Sequence, residues 1–302
     1  MTAEKSGGAY VHFKEVGQQL RAYRMESGLK AEEIAARLGV SRAALYRYEK
    51  GEVIKLDTVN RLAELLKISP LTLLGIGVEY YTRPIGYAER LRQIEETSDQ
   101  ILQFFGPLCY PVTSEHYDAA LAQMFQYYTQ THGDDGAVIH AAAEQLRGIM
   151  LTRKQMYQTR RPSIICVVTL SSLHHLLRFG IAGALPVSEK LRTLARKVAF
   201  YEVEQIATLM AREPIGLQLG LMTNAMPNGP FMVLRSRERA LLVANPFPPD
   251  AAPDAQSGVA MISSADDGVA THQRVSEQIW REALKGPAAA QQVRDLLAMM
   301  KE

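Results

Sequence analysis

Basic side chains follow a serine within residues 38–51, which read LGVSRAALYRYEKG. Arg42 comes directly after Ser41 and Arg47 five residues later, and no acidic residue stands between Ser41 and Tyr48. A guanidinium can donate two parallel hydrogen bonds to O6 and N7 of guanine, while a helix that starts at a serine offers backbone N–H groups to a phosphate. The stretch therefore predicts a short helix that contacts nucleic acid.

Five short helices would position this stretch. Gly39 permits a tight turn before it, because glycine adopts a left-handed backbone angle without penalty. Ala35 must be small, since the helices on either side of the turn cross closely there. Apolar periodicity predicts helices over residues 13–27, 30–38, 42–50, 56–66 and 70–74. We expect an all-α five-helix domain at residues 13–75, after a flexible arm at residues 1–12.

Three motifs occur together in residues 16–69. LRxxR lies on the first predicted helix, GLxxEEIAxxLGVS spans the turn, and LxxYExG ends the third helix. The combination resembles the helix-turn-helix of the XRE family, the phage Cro and repressor type of transcriptional regulator. The resemblance covers the first quarter of the chain and implies that the third helix enters the major groove of double-stranded DNA.

The resemblance also implies a role for each position that matches it. The residues implied to face base edges are Arg42, Ala43 and Tyr46, with Arg47 near a base or the backbone. Those implied to lie at phosphates are Ser41, Lys50 and Lys55. Arg24 and Glu49 match an arginine and a glutamate that are paired beneath the surface in the family, so we expect this pair to hold the first helix to the third.

One departure from the family concerns the start of the second helix. Many relatives begin it with Ser-Gln, whereas this chain has Lys30 and Ala31. The glutamine that braces the recognition helix or contacts the backbone is therefore missing, and Lys30 could contact a phosphate instead. The alternative to DNA binding is a helical domain of the same fold that docks another protein.

Residues 76–110 read as a connection. Residues 76–86 contain glycines and a proline and predict a linker, and residues 87–105 predict a long amphipathic helix with an apolar seam. Two interpretations of the seam stay open: contact with a second copy of the chain in a homodimer, or packing on its own domain.

Residues 111–302 predict a larger α/β domain with a mixed sheet and helices. The predicted helices are 115–130, 137–158, 188–212, 273–284 and 288–301, and the predicted strands are 163–170, 215–223, 231–236, 240–247 and 259–265, with a mobile loop at 248–258. The closing strand, small-residue turn and helix loosely resemble phospholipase D-like sensor domains, as in TrmB-type regulators. The catalytic His-x-Lys signature is absent, so the resemblance implies dimerisation or ligand sensing.

Polar residues near predicted strand ends are candidates for a small-molecule effector site, because ligands often bind there in open α/β sheets. They are His174, Arg178, Asn224, Arg235 and Asn245. Asp266 and Asp267 read as a solvated turn. Adjacent His174 and His175 lack the spacing of a metal site, and Cys109 and Cys166 read as buried small hydrophobes, with redox sensing as the lesser alternative.

Composition places the chain among ordinary globular proteins. Apolar residues make up 47% and charged residues 22%, with a formal net charge of +2 concentrated in the first quarter. No signal peptide or membrane span is predicted, so we expect a cytoplasmic location. We expect a homodimeric DNA-binding transcriptional regulator modulated by a ligand, with no catalytic residue, metal or cofactor. The alternatives are a protein-interaction switch, such as an antitoxin or phage-type regulator, and an enzyme with a DNA-binding head.

Overall fold

A computed structural model describes most of the chain. The described residues are 13–106, 108–131, 136–224, 229–245, 247, 252–254 and 258–301. The predicted arm at residues 1–12 and most of the predicted loop at 248–258 lie outside them. The chain divides into two compact units, Met1–Glu79 and Tyr80–Glu302, which we call the first and second units.

The first unit contains the five predicted helices, each with ends within one residue of those expected. They are α1 (Phe13–Ser27), α2 (Ala31–Leu38), α3 (Arg42–Glu49), α4 (Leu56–Leu66) and α5 (Pro70–Leu73). Their inward faces bury Leu20, Ile34, Leu45 and Leu62 completely. Local sequence signals set these boundaries, since Gly39 ends α2 in a left-handed conformation and Ser41 caps α3.

The rest of the chain builds a mixed sheet with helices, which confirms the predicted fold class. The strands are β1 (Val78–Tyr81), β2 (Gln100–Phe104), β3 (Ser163–Thr169), β4 (Leu217–Met222), β5 (Phe231–Arg235), β6 (Ala240–Ala244), β7 (Ala260–Ser263) and β8 (Leu284–Lys285). The helices are α6 (Pro84–Glu95), α7 (Glu115–Gln130), α8 (Gly136–Arg160), α9 (Leu170–Phe179), α10 (Glu189–Arg212), α11 (Asp266–Glu282) and α12 (Gly286–Met299).

The sheet has a parallel centre and antiparallel flanks. Its strand order is β1-β7-β6-β5-β2-β3-β4-β8, with β2, β3 and β4 parallel to one another. Helical crossovers join these three strands, as parallel pairing requires. Strands β5, β6 and β7 add by antiparallel pairing, and the predicted hairpin of residues 231–247 is β5 paired with β6.

The predicted linker and long helix at residues 76–105 are wrong. This region instead contains β1, α6 and β2. The Ser98 hydroxyl donates to the Ile94 carbonyl at 2.8 Å, just after α6 ends, and such side-chain bonds compete with a continuing helix. The following residues pair in the sheet, with Ile101 opposite Ile164 and Leu234. The seam combined residues of a helix and of a strand.

The interpretation of that seam as a dimer contact is therefore also wrong. Eleven of the twelve residues of α6 are buried, and α6 packs against α8. The helix is covered within the chain, so it offers no free apolar face to a second copy.

Two further expectations in the second unit differ from the structure. Helix α9 follows β3 directly and was not predicted. Asp266 and Asp267 do not form a turn, since they occupy the first turn of α11, where carboxylates interact favourably with the helix dipole. The small residues around them resemble a turn in composition, but Val269 and Ile279 of α11 pack into the core over the sheet.

Candidate nucleic-acid interface

The turn between α2 and α3 fixes the direction of α3. Gly39 has φ 70° and ψ 30°, and the Val40 N–H donates to the Ala35 carbonyl at 3.0 Å, which closes the end of α2. Ser41 Oγ then accepts a hydrogen bond from the Ala44 N–H at 3.1 Å and starts α3. Ala35 is 3% exposed, consistent with the requirement for a small side chain where the helices cross.

Helix α3 separates a buried side from an exposed polar side. Ala44 and Leu45 are buried, and Tyr46 is half-buried. The exposed residues are Ser41, Arg42, Ala43, Arg47 and Lys50. The structure thus gathers the residues implied to read bases, together with Ser41 and Lys50, on one accessible surface. The charged residues among them, Arg42, Arg47 and Lys50, are all basic.

Two contacts hold α3 against α1. Arg24 Nε lies 2.5 Å from Glu49 Oε1, and Arg24 Nη2 lies 3.0 Å from Glu49 Oε2, so the pair is bidentate. Only 14% of the arginine side chain and 5% of the glutamate side chain are exposed. The two residues implied to pair are therefore in contact, where they can fix the exposed side of α3 relative to α1.

The second contact was missed in the sequence. Gly17 of α1 approaches the backbone at the end of α3 so closely that an added Cβ would lie 2.4 Å from the Tyr48 carbonyl oxygen and 2.8 Å from that of Glu49. A glycine inside a helix is destabilising by about 1 kcal/mol relative to alanine, which was the available signal that this position has a packing reason.

Arg42 has neighbours that the sequence did not reveal. Its Nη1 lies 2.7 Å from Glu32 Oε1 on α2, and its Nε and Nη2 donate to the Tyr46 hydroxyl at 3.4 and 3.3 Å. The guanidinium carbon lies 5.3 Å from the Tyr46 ring centroid. The hydrogen bond to Tyr46 and the Glu32 charge raise the pKa of Arg42, so the guanidinium stays charged.

The lysines implied to lie at phosphates are also accessible. Lys30 and Lys55 are exposed residues that immediately precede α2 and α4. The Lys30 backbone N–H, and not its ammonium group, donates to Glu33 Oε2 at 2.8 Å. Arg47 Nε lies 3.5 Å from Glu52 Oε2 in an exposed pair, which is weak in water.

Comparison with known proteins identifies the first unit. Residues 15–73 match the family described as helix-turn-helix domain. The first unit is a helix-turn-helix domain. The assignment to the XRE type within such domains stays a prediction.

Two curated relatives match a part of this chain. A protein of Pyrococcus horikoshii is 47% identical over 60 residues, which are 20% of this chain and 18% of the relative. A protein of Pyrococcus furiosus is 35% identical over 80 residues, 25% of each chain. Both carry the name of HTH-type transcriptional regulatory protein. This chain thus spans a quarter or less of their length. No solved structure matches it.

Outside the helix-turn-helix domain, the five residues predicted to bind an effector do not form one site. Arg235 pairs with Gln100 at the start of β2, and its Nη1 lies 3.0 Å from Gln100 Oε1. Arg235 therefore lies at the amino ends of β2, β3 and β4, away from their carboxyl ends. Asn224 and Asn245 follow β4 and β6. These two strands point the same way, but they are four strand spacings apart in the sheet, roughly 19 Å.

The two remaining candidates lie on α9. His174 is half-buried, whereas Arg178 is exposed near the end of the helix, 5.4 Å from the Phe179 ring. A small cleft, open to solvent, is lined instead by other residues of the second unit. These are Glu95, Ile101, Pro111, Arg153, Met156, Tyr157, Arg160 and Pro162.

A buried charge network in the second unit was missed in the sequence. The Lys154 ammonium contacts the Asp118 carboxylate and the Ser114 carbonyl, the latter at 3.1 Å. Glu202 accepts from the Ser114 N–H at 3.1 Å and from its hydroxyl. Burial raises the pKa of Glu202, and the hydrogen bonds from Ser114 oppose that rise. Each charge here has partners, so the network reads as structural.

The structure bears on a metal site and on redox sensing by the two cysteines. Among the residues that the structure describes, no group of three or more metal-ligating side chains occurs. Cys109 and Cys166 are both buried, and the hydrogen bond between them together with burial raises the pKa of the Cys166 thiol. A thiol with a raised pKa is a poor nucleophile. No helix in the described part of the chain is long and apolar enough to cross a membrane.

Proposed function

We propose that the chain is a sequence-specific DNA-binding transcriptional regulator that reads the major groove with α3. One observation carries this proposal: the turn at Gly39 and Ser41 presents Arg42, Ala43 and Arg47 together on an exposed surface, while Leu45 anchors the same helix in the core. The names of the Pyrococcus relatives support it for the part of the chain that they match. Since they match only a quarter of this chain or less, the activity of the whole chain rests on the proposal.

Each exposed residue has a chemical role in this proposal. Arg42 donates to O6 and N7 of a guanine, and Ala43 contacts a thymine methyl group. Tyr46 and Arg47 complete the contacts to bases and the adjacent backbone. Ser41 and the N-terminus of α3 receive a phosphate, and the lysines at positions 30, 50 and 55 neutralise others.

The second unit supplies dimerisation and effector binding in this proposal. One helix-turn-helix domain covers one half-site, so two domains in a two-fold dimer cover half-sites about 34 Å apart on one face of DNA. Open α/β sheets bind ligands at the carboxyl ends of parallel strands, which here are Phe104, Thr169 and Met222. Effector binding at these strand ends would change the orientation of the two helix-turn-helix domains. In this proposal the protein is a cytoplasmic, non-enzymatic regulator of the XRE type.

Site selection from a random duplex pool tests the proposal. The full chain should enrich one sequence with two related half-sites, and sedimentation should show two chains of 33.6 kDa bound to each duplex. A chain that retains no duplex sequence above background would overturn the proposed function. Enrichment of a single half-site with one chain bound to each duplex would overturn the dimer alone.

A further inference from the structure

Arg42 is held on two sides by groups of its own domain. Glu32 Oε1 lies 2.7 Å from Nη1, and the Tyr46 hydroxyl accepts from Nε and Nη2 at 3.4 and 3.3 Å. A guanidinium carries five N–H groups in a rigid plane, and the two hydrogen bonds to Tyr46 engage two of them, while Glu32 forms an ion pair at Nη1. Among the contacts within the described residues, both terminal nitrogens therefore keep N–H donor capacity, and two N–H donors are what a guanine O6 and N7 can accept.

We propose that Glu32 is a positioning residue for base readout, which orients the Arg42 guanidinium toward the guanine edge before DNA arrives. This inference rests on the proposed function. A free arginine side chain samples many rotamers, and restricting it beforehand reduces the entropy lost on binding. Many relatives carry a glutamine that braces the recognition helix where this chain has Ala31. Glu32, the second residue of α2, supplies such a brace.

The carboxylate has a second, opposing effect. Glu32 is exposed, with 55% of its side chain accessible, and a negative charge near the interface repels DNA phosphates of any sequence. Its removal should therefore strengthen non-specific binding while it weakens the preference for guanine. Because these two effects have opposite signs, measuring both distinguishes a role of Glu32 in orienting Arg42 from a general charge effect. The exposed pair contributes little to folding, so the variant should remain folded.

Glu33 provides a matched control. It is the neighbouring exposed carboxylate on α2, and it accepts from the Lys30 N–H rather than contacting Arg42. Glu33→Gln removes the same charge from the same helix as Glu32→Gln. Both variants should raise affinity for a random duplex, but only Glu32→Gln should reduce discrimination between the selected duplex and the random one, by about threefold to fivefold.

A cycle between protein and DNA variants tests the role directly. Each guanine of the selected half-site is replaced in turn by 7-deazaguanine, which lacks the N7 acceptor, and affinities are measured by fluorescence anisotropy. At the guanine that Arg42 contacts, the replacement should weaken binding by the wild type. It should also abolish the difference in discrimination between wild type and Glu32→Gln.

Two results would contradict this role in different ways. If Glu32→Gln and Glu33→Gln change specific and random affinities by one common factor, Glu32 acts only as a charge and the inference fails while the proposed function stands. If the wild type prefers no duplex at all, the proposed function fails and the positioning role fails with it.

Discussion

Gly17 of α1 lies directly against the backbone carbonyl of Tyr48 in α3, where an added Cβ would sit only 2.4 Å from the oxygen. The contact sets the distance between the helix that reads DNA in our proposal and the helix that supports it. Backbone atoms cannot rotate away as a flexible side chain can, so any side chain at position 17 must push the two helices apart.

Gly17→Ala should therefore destabilise the helix-turn-helix domain by about 1–3 kcal/mol, because overpacking outweighs the gain in helix propensity. The only tryptophan, Trp280, lies in the second unit, so its fluorescence reports on that unit alone. Urea unfolding followed by circular dichroism should show early loss of helix, while the Trp280 midpoint is unchanged.

Gly148→Ala is the matched control for this prediction. Gly148 is an exposed glycine inside α8, and nothing lies within 4 Å of an added Cβ. This substitution should stabilise the second unit by about 0.5–1 kcal/mol through helix propensity. A Gly17→Ala protein as stable as wild type would mean that α1 and α3 are farther apart than described.

Glu49→Gln should destabilise the helix-turn-helix domain by about 3 kcal/mol, because the partly buried Arg24 guanidinium loses its charged partner. Arg24→Met should cost a similar amount, and the double variant should cost less than the sum of the two. A double-mutant cycle on urea unfolding, followed by circular dichroism, measures the coupling. Strictly additive losses would show that the two side chains do not stabilise the domain as a pair.

Lys55→Ala should weaken binding to selected and random duplexes by the same factor, because a phosphate contact carries no sequence information. The slope of log affinity against log salt should fall by about one unit. Lys197→Ala, which removes an exposed lysine from α10 of the second unit, is the control and should leave the slope unchanged. An unchanged slope in Lys55→Ala would place Lys55 outside the interface.

The stability of the second unit should depend on the protonation of Glu202. Burial raises its pKa in the folded chain above the ordinary value of 4.5, so the folded state binds this proton more tightly than the unfolded chain does. The resulting stabilisation is fully present below pH 4.5 and is lost as the pH rises through the raised pKa.

Glu202→Gln cannot titrate and should avoid that loss. The unfolding free energy of the variant minus that of wild type should therefore increase from pH 4.5 toward neutral pH, as measured by urea unfolding with Trp280 fluorescence. A difference that stays constant or decreases over this range would contradict the raised pKa.

The helix-turn-helix domain could be predicted closely because local chemistry sets its boundaries. Gly39 accepts a positive φ and Ser41 caps the next helix, so neither signal depends on distant residues. The approach of Gly17 to Tyr48 and the contact between Glu32 and Arg42 could not be predicted in this way. Both depend on how separate helices lie against each other.

The second unit was harder to predict because pairing across the chain decides its elements. Residues 101–104 fit a helical seam by spacing, but pairing with Ser163–Thr169 and Phe231–Arg235 makes them part of a strand. Pairing also separates the effector candidates, since strand direction places Arg235 and Asn224 at opposite ends of the strands. Lys154 did carry a signal, because it follows buried Met150 by four residues on the apolar stripe of α8.

The most direct test of the central claim is parallel site selection with wild type and Arg42→Ala from one random duplex pool. The account predicts that wild type enriches a defined half-site and that Arg42→Ala loses the requirement for a single guanine in it, with about 1–3 kcal/mol less affinity for the wild-type site. If both proteins enrich the same sequence with the same stringency, α3 does not read bases through Arg42, and the account is contradicted.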